Sequence, residues 1–86
     1  MYTVIVDCTN FVLEHGMHVL DADNNTISLM HLPTTEIARY IAEEPKITKV
    51  KLTGITEFCN GIKEDIENSL KLEYSNNERQ IEIEVL

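Results

Sequence analysis

Residues 2–8 (Tyr-Thr-Val-Ile-Val-Asp-Cys) are rich in β-branched types and continuously apolar at Val4-Ile5-Val6, the pattern of a central strand covered on both faces. A second apolar run, Phe11-Val12-Leu13, leads to Gly16. Residues 17–21 and 27–32 flank Asp21-Ala22-Asp23-Asn24-Asn25-Thr26, where Asp and Asn tolerate turn conformations and bond their own backbone, so the segment reads as a β-hairpin. Pro33 closes its second strand. Thr34 or Thr35 is placed to cap a helix running to about Glu43, with Ile37 and Ile41 one turn apart, Arg39 facing Glu43, and Pro45 as the stop. Residues 47–53 alternate, with Val50 and Leu52 on one face and Lys49 and Lys51 on the other, as in a strand with one face open to solvent. Gly54 supplies a turn.

A longer helix is predicted from about Glu57 to Leu70, because Phe58, Cys59, Ile62, Ile66 and Leu70 fall on one helical face. Thr56 reads as its N-cap, and Glu57 suits the positive end of the helix dipole. Gln80 to Leu86 alternates, Ile81, Ile83 and Val85 inward and Glu82 and Glu84 outward, which predicts a last strand. The order β-β-β-α-β-α-β describes a single α/β domain over residues 1–86, one mixed sheet with two helices packed on it. If the strands at 47–53 and 80–86 are neighbours, the acids of one face the lysines of the other.

Composition supports one modest core: 43% of the 86 residues are apolar, 26% are charged, and the bias of disordered chains is missing. The apolar runs fall far short of the roughly 18 residues that a membrane span needs, and no cationic start precedes an apolar stretch as in a signal peptide. A cytoplasmic location is therefore expected, with Cys8 and Cys59 as buried, reduced thiols. Fifteen acids against seven bases give a formal charge of −8. The first 38 residues hold Asp7, Glu14, Asp21, Asp23 and Glu36 but no lysine or arginine. Nucleic-acid affinity rests on cations that neutralise phosphates, so direct binding to DNA or RNA is not expected. A protein partner with a basic surface suits the chain better.

Motifs with chemical meaning are mostly incomplete. Asp21-Ala-Asp-Asn-Asn resembles the opening of an EF-hand loop, yet Thr26 stands where glycine is needed and Leu32 where a bidentate glutamate belongs, which argues against calcium. The same residues resemble the paired-aspartate motif of haloacid dehalogenase-type phosphatases, without that family's further motifs. Glu14, His15 and His18, with Asp23 or His31, are metal-ligand types, but His15 and His18 share a face only on a helix, and Gly16 argues against one. Cys59 lies on an apolar helix face, where a thiol stays protonated and inert. No glycine-rich phosphate loop and no complete catalytic constellation is present, so neither an enzyme nor a cofactor or metal is expected.

One segment carries a family likeness. Ile47-Thr-Lys-Val-Lys-Leu-Thr-Gly54, followed by Ile-Thr-Glu-Phe-Cys-Asn-Gly61 and a helix, resembles the strand, glycine turn and helix of one lobe in the actin-like, heat-shock chaperone and sugar-kinase superfamily. The element order agrees with that superfamily. The resemblance implies a ribonuclease H-like half-domain, with Asp7, Thr9 and Asn10 at the end of the first strand, and Gly54 and Thr56 at the turn, near nucleotide phosphates. Ile55 stands where the family usually has a second glycine, and a two-lobe site would need a homodimer or a partner to complete it. Val4-Ile-Val-Asp-Cys-Thr-Asn-Phe-Val-Leu is also similar to anti-sigma-factor antagonist domains, which need a helix where the hairpin is predicted.

The leading expectation is a non-enzymatic protein-interaction module that binds another protein or a second copy of itself through an open sheet edge or its acidic N-terminal half, with Glu14, Asp21, Asp23, Glu82 and Glu84 as partner-binding acids. The second is the nucleotide-binding half-domain. The third is an acidic, phosphate-mimicking inhibitor of a nucleic-acid-binding protein.

Overall fold

Alternation along the strands and 3.6-residue periodicity along the helices are met in a computed structural model, which describes residues 1–9, 13–73 and 80–86. Three strands come first, β1 (Tyr2–Cys8), β2 (His15–Leu20) and β3 (Thr26–Leu32). They are followed by α1 (Thr34–Glu43), β4 (Ile47–Gly54), α2 (Thr56–Glu73) and β5 (Glu82–Val85). The five strands form one mixed sheet in the order β3-β2-β1-β4-β5. β1 pairs antiparallel with β2 and parallel with β4, and β4 pairs parallel with β5. Phe11 and Val12 lie outside the described residues.

One face of the sheet is packed against the helices. Val4, Val6 and Cys8 of β1, Met17 and Val19 of β2 and Val50 and Leu52 of β4 form a single core with Ile37 and Ile41 of α1 and Cys59, Ile62 and Ile66 of α2. Burying each large side chain contributes about 1.5–3 kcal/mol. A register shift between Tyr2 and Thr3 against β4 lets Ile47 join this core, out of step with the alternation of Val50 and Leu52. The opposite face of β1 differs from the two-sided burial expected of Val4-Ile5-Val6: Ile5 is only half-buried and Asp7 is exposed. Among the described residues both helices contribute to the one core, so the apolar run serves a single covered face.

The helix ends also depart from expectation. Neither Thr34 nor Thr35 caps α1; Pro33 occupies the N-cap with no side-chain hydrogen bond, and its carbonyl accepts from the N–H groups of Glu36 and Ile37. A proline fixes φ and fits a helix start, where its missing N–H is not needed. In α2 the carbonyl of Ile55 accepts the N–H of Cys59, so Thr56 is the first helical residue and not the cap. The Arg39–Glu43 pair forms as expected, at 3.1 Å. No helix among the described residues is long and apolar enough to cross a membrane.

Candidate functional site

The C-terminal ends of β1 and β4 bring most of the first candidate set together. Asp7 lies opposite Thr53 and Cys8 opposite Gly54. The Asp7 carboxylate accepts the N–H of Thr9 at 3.0 Å, and the N–H of Ile55 donates to the Cys8 carbonyl at 3.2 Å. Gly54 has φ +131°, and a Cβ there would stand 2.6 Å from the Cys8 carbonyl carbon. Only glycine allows this approach. Asp7, Thr9, Gly54 and Thr56 are all exposed at this end, while Asn10 lies outside the described residues. Open α/β sheets hold ligands beyond the carboxyl ends of their strands, which is where these groups stand.

The acids do not form one patch. Glu14 precedes β2 at the end where β1 finishes, and Asp21 and Asp23 sit at the opposite end in the β2–β3 turn. Glu82 and Glu84 belong to the far edge strand, opposite Lys49 and Lys51. The Asp21 carboxylate is engaged in the turn, where its Oδ1 accepts the N–H groups of Asp23 and Asn25, each at 2.9 Å. Asn24 takes φ 64°, a left-handed conformation that asparagine tolerates. This accounts for the EF-hand-like spacing as a self-bonded turn. The Lys49–Glu82 pair is loose, at 3.9 Å.

Strand geometry also separates the histidines. His15 is buried on the helix-covered face, and its Nδ1 has no hydrogen-bond partner. His18 and His31 are exposed. Sequence reasoning missed the burial of His15, because Gly16 signals a loop while the structure continues β2 through it. Among the described residues no three His, Cys, Asp or Glu side chains converge on a metal position. Cys8 and Cys59 are free and buried, and desolvation, reinforced by the neighbouring Cys59, pushes the Cys8 thiol up to about 12. A thiol held that high is not a nucleophile.

The open sheet face was read from the sequence at Lys49 and Lys51 and at Glu82 and Glu84 but not at β1, and among the described residues no helix covers it. Pairing registers line up Leu29, His18, Ile5, Lys51 and Glu84 in one row across all five strands. Leu20, Thr3, Lys49 and Glu82 make a second row. Both rows pass from apolar groups on the hairpin side to a charged sector on β4 and β5. Leu29 is 67% exposed. The chain matches no protein-family model and no curated protein.

Proposed function

We propose that this chain is a non-enzymatic protein-interaction module, whose partner lays an apolar surface on the uncovered sheet face. The carrying observation is the row Leu29-His18-Ile5-Lys51-Glu84, which puts the exposed Leu29 and the half-buried Ile5 on one face with the opposite charges of Lys51 and Glu84, which can fix the partner's orientation. His18 is exposed in that row between Leu29 and Ile5, so His18→Glu leaves the core intact and disturbs the face. Affinity capture with the wild-type chain is expected to retain a stoichiometric protein partner that His18→Glu loses. Equal capture by both baits would sink the reading. A cytoplasmic site of action belongs to the same proposal.

A ribonuclease H-like half-domain is the finer fold within this proposal. It is supported by a central β1 that takes an antiparallel hairpin on one side and parallel β4 and β5 on the other. The same feature favours a second reading, nucleotide binding completed by a homodimer or partner. In that reading Asp7, Thr9, Gly54 and Thr56, gathered beyond the strand ends, approach the phosphates. Calorimetry with ATP and magnesium tests it; no heat and no change in melting would exclude it. The third reading, phosphate mimicry by the acids, has less support because Glu14, the Asp21–Asp23 turn and Glu82–Glu84 lie on separate parts of the sheet.

A further inference from the structure

Two sheet edges compete for the backbone of another chain, and they differ in chemistry. Among the described residues no strand pairs with the outer side of β3 or of β5. Alternate residues of an edge strand aim N–H and C=O groups outward, and proteins usually blunt such edges with charge, proline, bulges or short length. β5 follows that rule, with four residues that include Glu82 and Glu84. β3 does so only at its start, where the register shifts between Val19 and Leu20. Its regular stretch Ser28-Leu29-Met30-His31-Leu32 contains no acid, lysine, arginine or proline.

We infer that a second copy of this chain pairs antiparallel with β3 across a two-fold axis near Leu29, making one continuous ten-stranded sheet. Charge selects both the edge and the occupant. Self-pairing of β5 would set glutamates against glutamates in a chain of net charge −8, whereas self-pairing of β3 opposes only uncharged residues and His31. Antiparallel order also sets the turn bearing Asp23 beside the end of the sheet where the second copy's α1 begins. That helix start has no side-chain cap, and its positive dipole end, which already carries Glu36 in the first turn, favours a further acid. Two-fold pairing closes on itself, whereas joining β3 to β5 would propagate into a filament. The inference rests on reading the chain as an interaction module; its seam is the backbone edge of β3, which shares Leu29 with the face that His18 tests.

Size-exclusion chromatography with light scattering over a concentration series should give twice the 9.9 kDa chain mass for the wild type. Leu29→Lys and Leu29→Glu should each run at the single-chain mass, because like charges then meet across the axis, and mixing the two should restore the dimer. Glu82→Lys should stay dimeric. Leu29→Cys, oxidised with glutathione disulfide, should give a covalent dimer on a non-reducing gel, which guards against misfolding of the charged variants. A wild type that stays monomeric throughout, or a folded Leu29→Lys that stays dimeric, overturns the pairing. A His18-sensitive partner captured by a monomeric wild type would leave the module reading standing without the dimer, and a Leu29-dependent dimer with no such partner would do the reverse.

Discussion

Gly54 carries two demands at once: a φ of +131° and a Cβ position already occupied by the Cys8 backbone. Gly54→Ala is therefore expected to destabilise the fold by about 3 kcal/mol or more, read as a lower urea midpoint. Gly54 was legible as a turn residue, but the contact that requires it depends on β1 and β4 pairing over some 45 intervening positions, which no local pattern encodes. Cys8 gives a prediction of its own. Burial disfavours the thiolate and pushes the folded pKa up to about 12, from the ordinary thiol value of 9.0. The unfolded chain releases the proton first as pH rises, so this contribution is whole below pH 9 and lost towards pH 12, with a slope of up to about 1.4 kcal/mol per pH unit. Cys8→Ala should flatten that part of the stability curve in denaturant titrations at stepped pH.

At the scale of elements, the order of strands and helices and the faces of α2 and β4 were legible, because a single covered face imposes clear periodicities. Less legible were the boundaries. β2 begins at His15, although Gly16 signals a loop, because the ladder to β3 continues through the Gly16–His31 pair. The expected neighbours β4 and β5 do pair, with Lys51 opposite Glu84. Lys51→Glu should destabilise by about 0.2–1 kcal/mol, and adding Glu84→Lys should recover most of the loss in a thermal-melting double-mutant cycle. Additive effects would show that the pair does not interact. The screened, exposed Lys49–Glu82 pair should contribute little in the same assay.

Across the whole molecule, charge and hydrophobicity separate by location. The acidic bias of the first 38 residues was plain in the sequence, but their distribution between opposite ends of the sheet depends on the antiparallel hairpin. The open face was legible at β4 and the last strand, but its extension across β1 was hidden for a related reason: Ile5 looks like a core residue until its side of the sheet is seen without a helix among the described residues. The parallel β1–β4 pairing has one further consequence, in time. During synthesis at about 5–20 residues per second, β1 emerges seconds before the residues of β4 that flank it. In that interval the nascent chain can complete the antiparallel side of its sheet while Val4, Val6 and Cys8 still lack α2 above them. β1, which leaves the ribosome ahead of the other four strands of this sheet, is thus among the last of them to be fully enclosed, and its apolar side is a segment that chaperones would meet.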